Sequence, residues 1–411
     1  MALPPSADPA VPAWLLKRLE AAGGRVPFCT YMEWVLHDPE HGAYGSGRLR
    51  IGPDGDFATS PSLGPEFAAL LAPQLAEWLE EIGGPVAVVE TGPGEGQLAL
   101  QLAEALAAGW PALAQRCTLV LVEPSLGLAE RQRRRLADAP LPVRWASFEE
   151  LAAEPVRGVV LAHEVLDALA IERIVWDGSL WRRQDVVLHP QAAGPSLLRL
   201  EPGEPLPPEE LVALGPGGAL ADVLGVEDPR FPEGRRPVGW CTELHPGLAP
   251  WLGACGAALA EGHLLVIDYA QEARRYYAPQ RSAGTLMAYR AQQATDDPLR
   301  EPGHWDLTAH LCLESLEAAA TAAGWRPLGA RRQGEALLAL GLAERLHGLQ
   351  QGPAAELAAL LARREALLRL VDPVTLGDFR WVAFARGPLA SEAALPCFLR
   401  DPEPVEAAPA A

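Results

Sequence analysis

The feature that most constrains the fold of this chain is a glycine-rich turn between an apolar run and a helical pattern. The stretch V-V-E-T-G-P-G-E-G-Q-L-A-L begins at Val88, and its apolar run ends in Glu90. Three glycines follow, at Gly92, Gly94 and Gly96. Glycine adopts positive φ and lets the backbone approach a ligand, and the amides of a helix N-terminus then face that ligand. The pattern predicts a strand–turn–helix site for a dinucleotide, a nucleoside triphosphate or S-adenosylmethionine.

The spacing of the glycines reduces the number of ligand classes that fit the turn. A dinucleotide fingerprint needs a small residue where this chain has Gln97, which disfavours an NAD-dependent oxidoreductase. Lys17 is the only lysine, which excludes a phosphate-loop lysine and a pyridoxal phosphate Schiff base. An acidic residue followed by G-x-G-x-G is typical of class I methyltransferases, which bind S-adenosylmethionine. A tight turn whose glycines serve only packing remains the alternative.

Two further strand ends carry candidate cofactor-binding residues. T-L-V-L-V-E-P-S places Glu123 at the end of a second strand, where an acid accepts hydrogen bonds from ribose hydroxyls. P-V-R-W-A-S-F-E-E-L predicts a third, short strand that precedes Phe148. We expect Phe148 to stack on the adenine ring, with a plain core position as the alternative.

Composition and charge limit the partners. The net charge of −19 disfavours nucleic acid and anionic membrane surfaces and suits a basic protein or peptide. The basic run R-Q-R-R-R, residues 131–135, is interpreted as the solvated face of a helix. No apolar run is long enough for a membrane helix, so we expect no membrane insertion. The oligomeric state stays open, and a homodimer is one option.

The cysteines and the N-terminus bear on location. The chain has 6 cysteines and no C-x-x-C, so neither a zinc site nor a disulfide framework is indicated. This usage suits a reducing compartment. The N-terminus lacks a basic start followed by an apolar segment, so we expect a cytoplasmic protein without a secretory signal.

Alternation of strand and helix patterns from Val86 to Trp176 predicts an α/β fold with a parallel sheet, and 411 residues are enough for two lobes. Further helices are expected at Trp14–Ala22, Glu66–Ile82, 247–260 and 311–323. Further strands are expected at 263–270, near 336–340 and near 379–385. We expect five segments: a helical and loop segment that closes over the cofactor (1–84), a Rossmann-like cofactor-binding core (85–188), a Pro/Gly-rich insertion (189–240), the rest of the sheet with substrate-side elements (241–390) and a flexible tail (391–411).

Eight stretches, in order, resemble the MidA-like family of S-adenosylmethionine-dependent methyltransferases, which includes the mitochondrial complex I assembly factor. They are Y-M-E-W-V-L-H-D-P-E-H-G-A-Y, G-D-F-A-T-S-P, E-T-G-P-G-E-G-Q-L, V-E-P-S-L-G-L-A-E-R-Q, A-H-E-V-L-D-A-L-A-I-E-R, V-I-D-Y-A, G-T-L-M-A-Y-R and D-L-T-A-H. The resemblance implies a Rossmann-like class I methyltransferase core, with a mostly parallel, doubly wound sheet, an added smaller lobe and S-adenosyl-L-methionine as cofactor. It also implies methyl transfer to a protein arginine, with a subunit of a complex I-like assembly as the expected target.

The chain departs from the family pattern at several positions. His163 stands where the family usually has Asn, Ala170 replaces Pro, Ala270 replaces Gly, and Met287 replaces a basic residue. T-L-G-D-F replaces the methionine-glycine turn expected near the C-terminus. These departures concern the substrate side. They leave two alternatives open, a methyltransferase fold kept as an assembly chaperone and a small-molecule methyltransferase.

Two carboxylates follow the predicted fourth strand, where the fold delivers the methyl group. A guanidinium stays protonated in water, so its methylation needs carboxylates that hold it and accept a proton. Glu164 and Asp167, three residues apart at an expected helix start, share one face and are the candidate catalytic pair. The alternative is a pair of helix-start carboxylates favoured by the helix dipole.

Other polar residues have competing interpretations. Thr59 and Ser60, in G-D-F-A-T-S-P, are expected to close over the cofactor or to stabilise a turn. Asp306 is expected to cap a helix, and His310 is a second candidate for the substrate cleft. H-E-x-x-H would need a histidine at Asp167, and Pro39 argues against a helical histidine pair at 37 and 41. No metal site is predicted.

Overall fold

The computed structural model describes residues 11–52, 55–191, 195–351, 353, 356–388 and 394–401. Within these residues the strands are β1 (Arg25–Pro27), β2 (Val86–Thr91), β3 (Cys117–Val122), β4 (Val143–Trp145), β5 (Val156–His163), β6 (Glu172–Trp176), β7 (Trp181–His189), β8 (Leu197–Pro205), β9 (Cys241–Leu244), β10 (Leu259–Asp268), β11 (Ala270–Gln271), β12 (Met287–Arg290), β13 (Gln293–Thr295), β14 (Asp306–Thr308), β15 (Leu311–Cys312), β16 (Arg326–Arg332) and β17 (Arg380–Arg386). The helices are α1 (Ala13–Ala21), α2 (Phe28–His37), α3 (Glu66–Ile82), α4 (Gln97–Gly109), α5 (Pro111–Ala114), α6 (Leu126–Arg135), α7 (Phe148–Ala153), α8 (Pro208–Leu214), α9 (Leu220–Leu224), α10 (Leu248–Ala258), α11 (Ala273–Tyr276), α12 (Leu313–Ala322), α13 (Gln333–Ala339), α14 (Leu342–Gln350) and α15 (Leu357–Leu370).

A seven-stranded sheet forms the centre, in the order β16-β17-β10-β5-β2-β3-β4. The strands from β10 to β4 are parallel, and β17 runs antiparallel to both of its neighbours. All six residues of β2 are buried: Val86 and Val88 pack on one face of the sheet, and Ala87 and Val89 on the other. Since each face has its own hydrophobic core, the predicted doubly wound, mostly parallel α/β sheet is confirmed.

A second, antiparallel sheet forms the smaller lobe. Its order is β1-β7-β6-β9, and β8 pairs with the other edge of β7. Two separate hydrophobic clusters support it. Segment 85–188, expected to be the cofactor-binding core, therefore includes β6 and β7 of this second sheet. A strand buried on both faces has the same apolar pattern in either kind of sheet, so sequence alone does not separate them.

Most predicted elements are found, with one clear error. The helices predicted at Trp14–Ala22, Glu66–Ile82, 247–260 and 311–323 correspond to α1, α3, α10 and α12, and the strands predicted at 263–270 and 379–385 to β10 and β17. The strand predicted near 336–340 is wrong, because this stretch lies largely in α13, and the edge strand of the sheet is β16. A short apolar run such as A-L-L-A-L fits either a strand or a buried helix face.

The described part of the C-terminal segment packs against the sheet domain. Phe398 is fully buried, and its backbone N–H donates to Gln74 Oε1 at 3.1 Å. Arg331 pairs with Asp401 at 2.8 Å. The rest of the segment expected to be flexible, 391–393 and 402–411, lies outside the described residues. Among the helices the structure describes, none combines the length and apolarity that crossing a membrane requires.

Candidate functional site

A cavity of about 1120 Å³ lies at the carboxyl ends of the central parallel strands. The glycine turn after β2 forms one wall, and residues that follow β3, β4 and β5 form others. The N-terminal segment contributes Tyr44, Ile51, Phe57 and Thr59. Ligands of open α/β sheets bind at this edge, so the cavity is the candidate active site.

The glycine turn has the conformation that its composition predicts. Gly92, Gly94 and Gly96 have φ of 57°, 53° and 75°, and α4 begins directly after Gly96. A Cβ at Gly94 would lie 2.6 Å from Ile51 Cδ1, and one at Gly92 would lie 3.1 Å from Val165 Cγ2. Gly92 and Gly94 line the cavity, whereas Gly96 lies behind it, with its Cβ position 3.3 Å from Gln132 Cγ. Gly96 therefore serves the helix start and its packing rather than the cavity surface.

The two strand-end acids both line the cavity. Burial raises the pKa of Glu90 to about 8, and its Oε2 has no hydrogen-bond partner among the described residues. Burial also raises the pKa of Glu123 to about 7, although its carboxylate accepts hydrogen bonds from Ser125 N at 2.8 Å and Gln132 Nε2 at 3.1 Å. The carboxyl group of Glu90 thus has unused acceptor capacity, and that of Glu123 is held in a fixed orientation.

The other predicted cofactor-binding residues divide into two groups. Phe148 is half-buried at the start of α7 and lines the cavity, as does Thr59. Thr59 also forms a reciprocal cap with Ser62, which is the turn-stabilising role that the sequence left open. Ser60 is fully buried behind the cavity, where Gln333 Nε2 donates to its hydroxyl at 3.3 Å.

Sequence reasoning missed Gln132, which joins three parts of the site. Its Nε2 donates to Gly94 O at 2.8 Å as well as to Glu123, and its Oε1 accepts from Trp145 Nε1 at 2.9 Å. The side chain is fully buried on α6. Because Gln132 lies among arginines, the sequence predicts a solvated helix face there. The one sequence signal for a different role is that a glutamine interrupts the basic run.

The basic run is only partly the solvated face that was predicted. Arg131 donates to Gly47 O at 2.9 Å and Leu49 O at 3.3 Å, and it pairs with Glu95 at 3.0 Å. It therefore fastens the N-terminal loop over the glycine turn. Arg134 instead pairs with Glu130 on its own helix at 3.0 Å and is exposed.

Glu164 lies at the cavity but not at a helix start, so the helix-dipole alternative is wrong. Residues 164–171 form an irregular loop, and Glu164 itself has φ of 54°. Its backbone N–H donates to Ile267 O at 2.9 Å, which fixes the strained residue against β10. The side chain is 10% exposed, and its Oε1 lacks a hydrogen-bond partner in the described part of the chain. Burial, followed by the nearby charge of Asp268, raises the pKa of Glu164 well above its usual range.

His163 lies beside Glu164, with His163 Nε2 3.5 Å from Glu164 Oε1. Burial lowers the pKa of His163 to about 3, so this ring is neutral at physiological pH. The ring packs between Phe67 and Phe379, at centroid distances of 5.0 and 6.4 Å. This departure from the family pattern therefore supplies packing and a neutral neighbour rather than a positive charge.

Asp167 does not share a face with Glu164, because no helix forms there. It lies buried behind the cavity lining and is 5% exposed. Asp268, which sequence reasoning quoted without assigning a role, holds the loop: its Oδ2 accepts from the backbone of Val165, Leu166 and Asp167 at 3.0–3.3 Å. Burial and then Asp268 raise the pKa of Asp167.

Asp306 and His310 also lie behind the cavity. Asp306 opens β14 rather than a helix, so the predicted cap is wrong, and its Oδ1 is buried without a hydrogen-bond partner among the described residues. Burial raises the pKa of Asp306 to about 7. His310 stacks on Tyr269 at 5.3 Å, and burial lowers its pKa to about 4.

No group of three or more potential ligands for a metal ion occurs in the described ranges. His37 ends α2, and its Nε2 faces Ala168 O at 3.3 Å. His41 stacks on Trp14 at 5.0 Å. The two histidines have separate partners.

The cavity fits S-adenosylmethionine. This ligand carries a positively charged sulfonium and an amino-acid end. The cavity offers a buried Glu90 carboxyl group whose Oε2 has no partner among the described residues, a second acid at Glu123, and a turn whose glycines have positive φ. Gly92 and Gly94 would cradle the amino-acid end, Glu123 the ribose, and Phe148 the adenine. When bound, the cofactor supplies an electrophilic methyl group.

Comparison with known proteins agrees with this geometry. A solved structure from Burkholderia thailandensis, bound to S-adenosyl-homocysteine, is 30% identical, with a TM-score of 0.78 over 95% of this chain and 94% of that chain. The protein arginine methyltransferase NDUFAF7 homolog of Drosophila melanogaster is 28% identical over 92% of this chain and 86% of its own length. NDUFAF7 of Xenopus tropicalis is 28% identical over 70% of this chain and 65% of its own length. A family model of S-adenosyl-L-methionine-dependent methyltransferases matches residues 70–331, and the chain belongs to this family.

Proposed function

We propose that this methyltransferase methylates arginine on a protein substrate. The observation that carries the proposal is the Glu164 carboxyl group, nine-tenths buried at the cavity with one oxygen unpaired among the described residues. A guanidinium has five N–H donors and no acceptor, so it complements such a group. The relatives from fly and frog are both named as protein arginine methyltransferases.

Burial and the charge of Asp268 raise the pKa of Glu164 well above its usual range, so its carboxyl group holds a proton more readily than an exposed glutamate does. A guanidinium that enters beside it favours the ionised form, and the charge-assisted hydrogen bond then orients one nitrogen toward the cofactor side of the cavity. As that nitrogen gains the methyl group, it loses a proton, and Glu164 is the group placed to accept it. Asp167 would act indirectly, because it lies buried in the same loop that holds Glu164.

The experiment measures transfer of labelled methyl from S-adenosylmethionine to arginine-bearing peptides, with mass spectrometry to identify the modified atom. Wild-type protein and Glu20→Gln, a change at an exposed carboxylate on α1, should methylate arginine. Glu164→Gln should lose this activity while it still binds S-adenosylhomocysteine. A wild type that binds the cofactor but methylates no protein or peptide would favour the alternative of an assembly chaperone. Methylation restricted to small molecules would favour the alternative of a small-molecule methyltransferase.

The target, location and oligomeric state are further parts of the proposal. The resemblance to the MidA-like family supports a substrate in a complex I-like assembly. Both relatives are named as mitochondrial proteins. We propose a cytoplasmic location for this chain, consistent with six free cysteines. A homodimer stays a prediction, which sedimentation equilibrium would test. The acidic net charge of −19 supports a basic substrate segment rather than nucleic acid.

A further inference from the structure

Two neighbouring side chains at the end of β5 have buried polar atoms that face no other partner. His163 and Glu164 both line the cavity, and His163 Nε2 lies 3.5 Å from Glu164 Oε1. Their side chains are 6% and 10% exposed, and neither atom has a hydrogen-bond partner among the described residues. A buried polar atom without a partner costs free energy, so each of these atoms is the nearest available partner of the other.

The separation of 3.5 Å is longer than that of a formed hydrogen bond. A short rotation of the carboxyl group, by roughly 0.5–0.8 Å, would bring the two atoms within hydrogen-bond distance. The imidazole is the fixed partner, because its ring packs between Phe67 and Phe379. Hydrogen bonds in the active site of a free enzyme often tighten in this way when the ligands bind.

The neighbouring Asp268 decides which of the two atoms donates. Its Oδ2 accepts from three backbone N–H groups of the loop that follows Glu164, and its Oδ1 accepts from Tyr269 N at 2.8 Å. No arginine or lysine of the described ranges forms an ion pair with Glu164. Of two adjacent carboxyl groups, the one with four N–H donors is the one that ionises, and the other keeps its proton. Glu164 therefore has an O–H group that needs an acceptor.

The other titratable groups around Glu164 act in the same direction. Burial and then Asp268 raise the pKa of Glu164, and burial lowers the pKa of His163 to about 3. With the imidazole neutral and protonated at Nδ1, its Nε2 is an acceptor. The described groups that interact electrostatically with Glu164 are acids and phenols: Asp167, Asp268, Asp306, Tyr44 and Tyr269.

We propose that His163 is a positioning residue for Glu164, and that its neutral Nε2 accepts a hydrogen bond from the protonated carboxyl group at Oε1. When the target nitrogen gains the methyl group, its N–H bond breaks and an O–H bond forms on Glu164. That new O–H group then has an acceptor already in place, which makes Glu164 a stronger base. The inference rests on the proposed role of Glu164, and it gives a function to the histidine that departs from the family pattern.

Titration of Glu164 in the full chain, without ligands, tests this contact. Glutamate labelled with ¹³C at the carboxyl carbon is followed by NMR, and the resonance that is absent from Glu164→Gln belongs to Glu164. A hydrogen bond to the protonated form raises the pKa of a carboxyl group. His163→Phe should therefore lower the titration midpoint of Glu164 by about one pH unit. His163→Gln, whose amide oxygen still accepts, should restore part of this shift.

His263→Phe is the matched control. His263 is also buried, and both of its ring nitrogens lack a hydrogen-bond partner within the described part of the chain. Its ring stacks on Trp78 at a centroid distance of 4.6 Å, and it is not among the residues that line the cavity. Its replacement should leave the titration of Glu164 unchanged, which separates the loss of this contact from the loss of any buried imidazole.

An unchanged midpoint of Glu164 in His163→Phe would overturn the inference. A midpoint that rises would overturn it as well, because His163 would then donate to the carboxylate. If His163→Phe does not fold, ¹⁵N NMR of the wild type decides the question. The imidazole of His163 should be neutral with its proton on Nδ1, and a proton on Nε2 would contradict the proposed direction.

These measurements need neither cofactor nor acceptor, so they are independent of the proposed function. A lowered midpoint in a protein that methylates no arginine peptide would refute the proposed function alone. Where arginine is methylated, His163→Phe should also move the pH–rate profile of a single turnover toward lower pH. Arginine methylation with an unmoved midpoint of Glu164 would refute this inference alone.

Discussion

Gly94→Ala tests whether Gly94 is needed only for the backbone conformation of the turn or also to keep the cofactor site open. Gly94 has φ of 53°, so any side chain there costs roughly 1–2 kcal/mol of folding free energy. Its Cβ would lie 2.6 Å from Ile51 Cδ1. Carbon atoms need about 3.5–4 Å, so Ile51, which lines the cavity, must move by roughly 1 Å.

The matched control is Gly23→Ala, in the turn after α1. Gly23 has φ of 79°, and no described atom lies within 4 Å of its Cβ position. Both variants should lose about 1–2 kcal/mol of unfolding free energy, measured by urea titration. Only Gly94→Ala should also raise the Kd of S-adenosylhomocysteine, by about ten- to hundredfold, because a misplacement of about 1 Å at a site can cost this much.

Calorimetric titration of S-adenosylhomocysteine decides between the two effects. Unchanged affinity of Gly94→Ala, together with the expected loss of stability, would show that the glycine serves the backbone alone. The cofactor would then not rest on this turn. Equal loss of affinity in Gly23→Ala would instead assign the whole effect to general destabilisation.

Glu164→Gln should lower methyl transfer by about 10²-fold in a single-turnover assay, because the charge that holds and deprotonates the target is lost. The Kd of S-adenosylhomocysteine should stay within about twofold. A normal rate of methyl transfer would show that another carboxylate serves as the base. Burial raises the pKa of Glu90 to about 8, so affinity for cationic S-adenosylmethionine should rise from pH 6 and level off above pH 8, and this slope should vanish in Glu90→Gln. The same shift should make stability of the free protein fall as pH rises from the ordinary glutamate range to about 8, because only the folded state keeps the proton there. Gln132→Leu removes three part-buried hydrogen bonds and should cost about 2 kcal/mol or more in urea unfolding; a smaller loss would show that water replaces the amide. Arg131→Leu should speed proteolysis of the loop at residues 45–52, whereas Arg134→Leu, on the same helix with only a local partner, should not.

The sequence by itself determined the central sheet and the wall of the cavity formed by the glycine turn. An apolar run, an acid and three glycines at fixed spacing can be satisfied by few backbones, because positive φ and a close helix start are local requirements. Gly92, Gly94, Glu90 and Glu123 could therefore be assigned from neighbours in the chain, and each occupies the expected position relative to its strand.

Only the tertiary structure decided how the acceptor side is built. The loop after β5 was read as a helix because E-V-L-D has helical spacing, but Asp268 binds three of its backbone N–H groups and holds it in an irregular path. Gln132 and Gly94 come from different segments, as do Gln333 and Ser60, and each pair meets through a side-chain hydrogen bond. Such contacts depend on packing between elements far apart in sequence, and no periodicity along the chain records them.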